Sequence, residues 1–578
     1  MNFDRLVVLF EHLEKTSSGN ELRTFLADFF KEATPKEVPH IAYLTLGRVG
    51  ADFEGIVFGM AEKSVLKAIG IASGMSAQKL KDLLSKNGDI GLCAEAALQK
   101  KSRTLVAPEP LTIFDLHVQL VKLGGIVGDG SIDTKANIVA ALLQRTTPLG
   151  AKYITRIILG MLRLGVAEMA VLDALAIAFT GEKKNKAILE SAYNLCPDVG
   201  VIAGALVDGG LCAVEKIDVE VGRPIQMMLC QRVEHLADVF DNITPPVAVE
   251  GKYDGERVQA HKDKKGTIKL FSRRLENITD QFPDLVKELG SQLKASTFIV
   301  EGEILAIGLD GNPLPFQTLM QRRRKYDVDA YITKVPIQIK IFDILYIDGK
   351  SILGCSYGER NKRLNAIVNV NSRVTLADVI KTSNLDEIEA FFHKMLESGF
   401  EGIIIKSLAD DSVYQAGTRG WNWIKWKKEY VHELVDTFDV VVIGAFHGRG
   451  KRSGMYGALL CACYNPKKDQ FETVCKLGTG LTDAMLIELP GKLGKYKVSK
   501  KPTSLMISKE MEPDVWFEPH LVVEVKAAEV TKSPFHTAGL GLALRFPRFV
   551  RYRDDKKPMQ STTSQEIEKM YAERYGAK

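Results

Sequence analysis

The sequence predicts a multidomain α+β protein, in which one helical region precedes two regions that are rich in strands. Its 578 residues are enough for several domains, each with a core of its own. Apolar residues recur at helical spacing up to about residue 215, and short strand-like segments separated by glycine and proline follow. A third region, again rich in strands, begins near residue 431. We therefore expect domains at 1–215, 216–430 and 431–578.

The composition excludes several classes of protein. Lys and Arg number 77 against 72 Asp and Glu, so the net charge of +5 does not by itself indicate a polyanion partner. Charged residues interrupt the N-terminal apolar stretch, and no uninterrupted apolar run approaches the roughly 18 residues of a membrane span. Eight cysteines without a Cys-x-x-Cys pair fit neither a disulfide scaffold nor a structural zinc site, and Cys461 and Cys463 lie in a segment typical of a buried strand. We expect a soluble protein of a reducing compartment, with no membrane partner.

Residues 1–215 carry stripes of apolar residues at the spacing of amphipathic helices, the first formed by Phe3, Leu6, Val7, Phe10 and Leu13. The densest apolar segment, 154–179, predicts a core helix hairpin broken at Gly160 and Gly165. A second interpretation is compatible with the same pattern. Glycines at helix ends let backbone N–H groups approach phosphates, and Arg156 and Arg163 would supply positive charge there.

The segment EGKYDGERVQAH, residues 250–261, contains a Lys-x-Asp-Gly motif formed by Lys252, Asp254 and Gly255. Alternating residues predict a strand on each side, and Asp254-Gly255 is typical of a tight turn between two strands. The motif is also typical of a lysine that attacks phosphorus. Its amine must first lose a proton, which desolvation and a neighbouring cation such as Arg257 favour, and the product is a lysine–nucleotide phosphoramidate. One tetrapeptide of this kind arises by chance too often to decide between turn and nucleophile.

Later strand-like segments supply the carboxylates and cations that such chemistry requires. FIVEGEILAI (298–307) carries two glutamates on one face, GFEGIIIKS (399–407) carries a glutamate before and a lysine after an apolar run, and WNWIKWKKEY (421–430) carries two lysines on one face. Taken singly, charged residues at strand ends are usually solvated. Taken together they fit a nucleotide site: Glu301, Glu303, Glu401, Lys406, Lys425 and Lys427.

The third region combines strand-like segments with basic ones. GKLGKYKVSKKP (491–502) is basic, and LRFPRFVRYRDDKKP (544–558) interleaves arginines and lysines with aromatic residues. Such interleaving on a small strand-rich domain is typical of an OB-fold that follows a nucleic-acid backbone. A solvated edge strand followed by a charged tail is the alternative.

Seven motifs appear in one order: KYDGER, FSRRLEN, FIVEGEIL, FDILYIDG, FEGIIIKS, WIKWKK and RFPRFVRYRDDK. In this order the chain resembles the ATP-dependent DNA ligases of the large, three-domain archaeal and eukaryotic replicative type. TTPLGAKYI, LGMLRLGVAE and LDALAIAF resemble the helical domain of those ligases, so the likeness spans nearly the whole chain. The resemblance implies an all-helical DNA-binding domain, an α+β adenylation (nucleotidyltransferase) domain and a β-rich OB-fold domain.

The resemblance also implies roles for individual residues. Lys252 is similar to the nucleophile that becomes adenylylated, Glu250 to a residue that contacts adenine, and Phe342 to the aromatic residue that stacks on the base. Glu401 is similar to a carboxylate associated with magnesium, and Glu303 to one that contacts the ribose or assists the metal. The resemblance implies contacts with the nucleotide (its ribose, its α-phosphate or another part) or with the nick phosphate for five further residues: Arg257, Arg273, Arg419, Lys425 and Lys427.

For the C-terminal region, the resemblance implies that Arg548 and the RDDK segment orient the leaving pyrophosphate, which requires a hinge between domains, expected at 430–439. The implied activity is the sealing of nicks in double-stranded DNA, with ATP as co-substrate and Mg²⁺, or alternatively Mn²⁺, as cofactor. We expect a monomer that grips the phosphates of nicked duplex DNA and acts in replication, repair and recombination. Its expected location is the cytoplasm, in association with the nucleoid if the source is prokaryotic.

Two positions depart from the family pattern. Met227 stands in GRPIQMMLCQ where relatives usually carry a proline, which affects a connecting turn. The segment ALQKKSRTL (97–105) has Gln99 but no aromatic pair of the kind used for a sliding-clamp contact, so a clamp partner is possible in the family but its motif is not found.

Three other functions share part of the pattern. An mRNA-capping guanylyltransferase shares the lysine motif but does not need the helical region. An NAD-dependent ligase carries a four-cysteine zinc site, which this sequence does not provide. A non-catalytic DNA-binding protein explains the basic segments but not the ordered carboxylates and lysines.

Overall fold

The structure is a computed structural model that describes residues 1–99, 109–233, 235–308, 310–322, 328–427, 437–448, 455–527, 529–539 and 541–575. The chain divides into two units, Met1–Trp426 and Lys427–Lys578. The predicted hinge at 430–439 and the segment compared with a clamp motif, 97–105, lie largely outside the described residues.

The described part of residues 1–215 is almost wholly helical, as the apolar stripes predict. In the first helix, Phe3, Leu6 and Leu13 are buried on one face, and Asn2 caps the helix by accepting a hydrogen bond from the Asp4 N–H at 2.9 Å. The buried faces of the helices form one core. The helices are α1 (Phe3–Lys15), α2 (Gly19–Glu32), α3 (Val38–Thr45), α4 (Glu62–Ser73), α5 (Ala77–Asn87), α6 (Ile90–Gln99), α7 (Ile113–Gly124), α8 (Ser131–Gln144), α9 (Pro148–Ile158), α10 (Glu168–Thr180), α11 (Lys186–Leu195) and α12 (Val199–Glu215).

The apolar segment 154–179 forms the predicted helix hairpin from the end of α9 to α10. Gly160 and Gly165 lie in the turn with positive φ values of 65° and 74°, a conformation that glycine adopts without steric cost. Arg163 is exposed between them, also with a positive φ of 53°.

The carboxylate of Glu14 ties α1 to α9. It accepts hydrogen bonds from Lys152 at 2.7 Å, Tyr153 at 2.8 Å and Arg156 at 2.9 Å. Arg156 is buried and also binds Asp89 at 3.1 Å. Because two carboxylates inside the domain compensate its charge, Arg156 does not supply positive charge to a phosphate, and the second interpretation of this segment is wrong on that point.

The segment 216–228 leads from α12 into a domain built on two sheets. Its strands are β1 (Leu229–Arg232), β2 (Val247–Lys252), β3 (Glu256–Lys262), β4 (Ile268–Ser272), β5 (Phe298–Ala306), β6 (Ile337–Ile347), β7 (Lys350–Ser351), β8 (Val374–Leu376), β9 (Val379–Thr382), β10 (Gly402–Ser407) and β11 (Arg419–Lys427). Its helices are α13 (Val239–Asn242), α14 (Pro283–Gln292), α15 (Phe316–Leu319), α16 (Val328–Lys334), α17 (Tyr357–Ile367) and α18 (Leu385–Glu397).

The first sheet has the strand order β1–β11–β10–β2–β9, and the second has β4–β3–β5–β6–β7 with β8 beside β6. Alternating residues of β3, β5 and β6, such as Val258, Val300 and Ile339, are buried in one core with residues of α14 and α17. β2 and β3 therefore belong to different sheets, and the chain crosses from one sheet to the other between Lys252 and Glu256. The sequence predicted both strands and the turn, but not this crossing.

The second unit is rich in strands. They are β12 (Thr437–His447), β13 (Tyr456–Asn465), β14 (Gln470–Leu477), β15 (Lys497–Val498), β16 (Leu505–Met506), β17 (Val515–Phe517), β18 (Val522–Lys526), β19 (Glu529–Lys532), β20 (Leu542–Arg545) and β21 (Arg548–Tyr552), with helices α19 (Asp483–Gly494) and α20 (Ser564–Tyr575).

Strands β12, β13 and β14 form the centre of the main sheet in this unit, with β18 pairing β12 and β21 pairing β18. Cys461 and Cys463 are free thiols buried on β13, which confirms the interpretation of that segment as a buried strand. The predicted fold class, a helical domain followed by an α+β domain and a β-rich domain, is confirmed. Among the described residues, no helix combines the length and the apolar character needed to cross a bilayer.

Candidate active site

Lys252 is the last residue of β2 and lies where the chain leaves the first sheet. The turn that follows passes so close to β5 that a Cβ on Gly255 would lie 2.2 Å from the backbone oxygen of Ile304 and 2.9 Å from Cγ of Glu303. No side chain fits at that separation, so the motif requires glycine here for a close approach rather than for a hairpin. This approach brings the lysine motif against the strand that carries Glu303.

Glu401, far from Lys252 in sequence, is its ion-pair partner. β10 pairs antiparallel with β2 and places Gly402 opposite Lys252, and the Glu401 N–H donates to the Lys252 carbonyl at 2.9 Å. The side chains meet with Nζ of Lys252 2.5 Å from Oε2 of Glu401, and they are 20% and 27% exposed. The amine is therefore held in one place yet remains accessible to a ligand.

Glu303 on β5 faces the same place and is half-buried. Burial raises the pKa of its carboxyl group to about 7; Lys252 and Arg257 oppose that rise, while the negative charges of Glu401 and Asp254 add to it. Glu303 and Glu401 are thus close enough to repel one another electrostatically, and together they offer hard oxygen ligands beside Lys252. Mg²⁺ is commonly held in proteins by one or two carboxylates together with phosphate oxygens, so Glu303 and Glu401 fit this ion. The described residues contain no cluster of three or more acidic, histidine or cysteine side chains that would hold a metal alone.

A second group of side chains surrounds Glu250, which lies on β2 two residues before the lysine. Glu250 is buried; its Oε2 lies 2.8 Å from Nζ of Lys406, and its Oε1 accepts a short hydrogen bond from the Tyr357 hydroxyl. Burial raises the pKa of Glu250, and Lys406 opposes that rise. Nζ of Lys406 lies 5.0 Å from the ring centroid of Phe342 and 4.3 Å from that of Trp423. Aromatic rings beside a buried acceptor–donor pair suit a flat heterocycle with polar edges.

Arg257 on β3 joins the two groups. Its guanidinium carbon lies 5.4 Å from the ring centroid of Phe342 and 5.5 Å from that of Trp423. Its Nη2 donates to Glu301 at 2.8 Å, and its Nη1 donates to the Met228 carbonyl at 2.8 Å. The structure thus brings together six of the predicted site residues: Lys252, Glu250, Arg257, Glu303, Phe342 and Glu401.

The remaining predicted nucleotide contacts lie on β11 and just after β4. Lys425 and Lys427 are half-buried on β11, the strand between β1 and β10. In the backbone pairing of β11 with β1, Lys425 lies opposite Arg232. Arg419 is exposed at the start of β11, and Arg273 is exposed just beyond the end of β4. Their contacts with a nucleotide stay predictions.

The sequence did not predict the roles of two residues of this site. Lys406 was placed among the charged residues that fit a nucleotide site, but its burial was not predicted: it is only 1% exposed, because it continues a buried strand whose carboxylate partner lies on the neighbouring strand. Tyr357, at the start of α17, was not considered at all. The signal for Lys406 was its place directly after three apolar residues of β10, where a solvated side chain is the exception.

The C-terminal basic motif lies in the second unit, partly on β21. Arg548 is exposed at the start of this strand. Arg551 instead binds Glu524 at 2.5 Å, and both Arg553 and Lys556 bind Asp439, at 2.9 Å and 2.5 Å. Arg551, Arg553 and Lys556, three of the six basic residues in 544–558, thus bind carboxylates of their own unit.

Three family models match the chain in the order of its domains. "DNA ligase N terminus" matches residues 2–176, "ATP dependent DNA ligase domain" matches residues 227–427, and "ATP dependent DNA ligase C terminal region" matches residues 452–556. The middle match contains every residue of the Lys252 site described above.

Whole-chain relatives agree with the family models. DNA ligase 2 of Thermofilum pendens is 43% identical over 583 residues, which cover 98% of this chain and 96% of the relative. DNA ligase 1 of Methanosarcina acetivorans is 42% identical over 579 residues, which cover 98% and 99%. The solved structure Pmar-Lig_PreS3 has a TM-score of 0.53 at 15% identity over 95% of this chain and 99% of its own, a likeness that concerns the fold alone. The chain belongs to the family of ATP-dependent DNA ligases.

Proposed function

We propose that this chain seals nicks in double-stranded DNA through a covalent Lys252–AMP intermediate. The observation that carries the proposal is the position of Lys252, whose accessible amine is ion-paired with Glu401 at 2.5 Å beside the carboxylate of Glu303. Glu250 lies two residues before Lys252 on β2 and binds Lys406, which lies over the ring of Phe342; this group supports an adenine-binding role for that end of the site.

The proposed reaction consists of three phosphoryl transfers. The Lys252 amine loses a proton, for which Glu401 is an acceptor within hydrogen-bond distance, and attacks the α-phosphorus of ATP. A nitrogen–phosphorus bond forms and pyrophosphate leaves. The 5′-phosphate of the nick next takes the AMP from the lysine, and the 3′-hydroxyl then attacks that phosphate and releases AMP.

Each transfer develops negative charge on phosphate oxygens, so cations near the site should supply most of the catalysis. Arg257, Lys425 and Lys427 are the proposed protein cations. Glu303 and Glu401 would hold Mg²⁺, or Mn²⁺, which supplies charge neutralisation on the phosphates when bound. The remaining roles proposed here rest on the family resemblance: action in replication, repair and recombination, a monomeric state, and a cytoplasmic location, in association with the nucleoid if the source is prokaryotic.

The test is covalent labelling. Incubation with α-labelled ATP, followed by a denaturing gel, should label the wild-type chain, and GTP and NAD should not. Lys252→Ala should abolish the label, since the amine that forms the bond is gone. The same variant should still seal a nick that already carries AMP, because the last transfer does not use the amine as nucleophile.

Lys269→Ala is the matched control, because Lys269 is an exposed lysine on β4, a strand of the second sheet that does not pair with β2. It should be labelled at the wild-type rate. Full labelling of Lys252→Ala would show that another residue is the nucleophile, and labelling by GTP in place of ATP would indicate a guanylyltransferase.

A further inference from the structure

β3 carries a row of three polar side chains, Arg257, Gln259 and His261, that the proposed chemistry does not explain as a whole. They alternate with Val258 and Ala260, which face the core of the second sheet. Gln259 and His261 are almost fully buried, at 0% and 1% exposure. Buried polar groups on one strand face are costly unless each has a partner, so their partners indicate what the row does.

Glu301 is the partner on the neighbouring strand. It lies opposite Gln259 in the pairing of β3 with β5 and is completely buried. Its Oε2 accepts from Arg257 at 2.8 Å and from the Tyr414 hydroxyl at 3.0 Å, and its Oε1 accepts from Gln259 at 3.2 Å. One buried carboxylate therefore binds the guanidinium of Arg257 and fixes its orientation.

The other partners of the row belong to the segment 216–228, which connects the helical domain with the two-sheet domain. The Gly222 N–H donates to Nδ1 of His261 at 3.0 Å, and the Ile225 N–H donates to Oε1 of Gln259 at 2.8 Å. Arg257 donates to the Met228 carbonyl at 2.8 Å. Every third residue of the connecting segment, from Gly222 to Met228, thus binds every second residue of β3, from His261 to Arg257.

The direction of each hydrogen bond is determined. Since Nδ1 of His261 accepts from a backbone N–H, Nε2 carries the proton and donates to Oε1 of Gln259 at 2.8 Å. Burial lowers the pKa of His261 to about 3, so the ring is neutral at ordinary pH. The side-chain amide N–H of Gln259 then donates to Glu301. The chain of hydrogen bonds from His261 therefore ends at the carboxylate that binds Arg257.

We propose that Glu301 is a positioning residue for Arg257, and that the connecting segment 216–228 is part of the same hydrogen-bonded unit. This inference rests on the proposed function, in which Arg257 contacts the bound nucleotide. Without the charge of Glu301, the guanidinium keeps its donors but loses the partner that fixes its orientation beside Phe342. The segment that leads to the helical domain would share that loss of order, because Met228 binds both Arg257 and Tyr414.

The test is a double-mutant cycle on the full-length chain, with adenylylation of Lys252 measured against ATP concentration. Glu301→Gln, which keeps the shape and removes the charge, should raise the ATP concentration for half-maximal adenylylation about tenfold and change the saturating rate by less than about threefold. Arg257→Ala should raise it further. The double variant should be no worse than Arg257→Ala alone, because Glu301 acts through the missing guanidinium.

Asp343→Asn is the matched control, since Asp343 is a fully buried carboxylate opposite Glu301 on β6 and binds Arg360 at 2.8 Å. Asp343→Asn should lower the melting temperature. Any change that it makes in the ATP requirement should add to the change made by Arg257→Ala. If Glu301→Gln does not fold, Tyr414→Phe removes one hydrogen bond to Glu301 and should give a smaller rise, again absent without Arg257.

Multiplicative effects of Glu301→Gln and Arg257→Ala would overturn the positioning role. So would a fall in the saturating rate without a change in the ATP requirement. Failure of the proposed function is a separate outcome, because the wild-type chain itself would then take no label from ATP.

Discussion

The buried Glu250–Lys406 ion pair contributes to the stability of the folded site in the absence of a ligand. Both side chains are almost fully buried, and the lysine is surrounded by the rings of Phe342, Tyr357 and Trp423. An isolated carboxylate at this depth would be strongly disfavoured. Lys406 therefore stabilises the charged form of Glu250, although burial still raises the pKa of Glu250.

Lys406→Met tests this pair, because methionine keeps the apolar stem and removes the charge. We expect a loss of about 3–5 kcal/mol in the free energy of unfolding at pH 7, since the variant leaves a buried carboxylate without its cation. The loss should be smaller near pH 5, where Glu250 can take up a proton. Urea unfolding at both pH values measures it, and Lys406→Met combined with Glu250→Gln should recover most of the stability. A single variant as stable as wild type would show that Tyr357 alone satisfies the carboxylate.

At this scale the sequence predicted the accessible residues of the site better than the buried residues that support them. Lys252, Glu303 and Glu401 stand in short ordered motifs, and the structure brings them together. Lys406 and Glu301 are charged residues inside such motifs as well, yet their burial depends on partners from distant strands. Spacing along one strand cannot reveal those partners, so the sequence could not predict the burial of Lys406 or its pairing with Glu250.

Among the elements, the contact between α1 and α9 should be sensitive to acid. Burial alone would raise the pKa of Glu14, but hydrogen bonds from Lys152, Arg156 and Tyr153 outweigh it and lower the pKa to about 2. A carboxyl group with a lowered folded pKa stabilises the protein above its unfolded pKa of about 4.5, and that stabilisation is lost as the pH falls toward 2.

Glu14→Gln should therefore destabilise the helical domain at pH 7 by on the order of 1–3 kcal/mol and by less than about half as much at pH 3. Hydrogen exchange of the α9 amides, corrected for the intrinsic rate at each pH, measures the difference. Glu11→Gln is the control on the same helix, since the Glu11–Lys15 pair is solvent-accessible and should contribute little. An equal loss at both pH values would mean that Glu14 acts through packing and not through its charge.

The elements themselves followed from periodicity, but their pairing did not. Val247 and Val249 on one side of the motif and Val258 on the other predict two strands and a turn, and that much is confirmed. A turn between adjacent strands usually makes a hairpin, whereas here the strands enter different sheets. Gly255 permits this crossing, because a residue with a Cβ could not pass so close to β5, and only the tertiary structure shows that approach.

For the molecule as a whole, the residues proposed for the first step of the reaction are divided between the two units. Lys252 lies in the first unit and Arg548 in the second. Phe549 and Ile567 belong to the core of the second unit, so removal of the C-terminal segment would unfold that unit and answer nothing. An exposed side chain in the motif, Arg548, offers a cleaner substitution.

Arg548→Ala should slow the adenylylation of Lys252 by about tenfold or more, because the family resemblance places this residue at the pyrophosphate, which exists only before the lysine has reacted. Sealing of a nick that already carries AMP should fall by less than about threefold, since pyrophosphate has no part in that step. Single-turnover rates of both steps on the same variant give the comparison. Lys509→Ala, which removes an exposed cation elsewhere in the same unit, should leave both rates near wild type. If sealing fails while adenylylation runs at the wild-type rate, Arg548 grips DNA and has no role at the pyrophosphate.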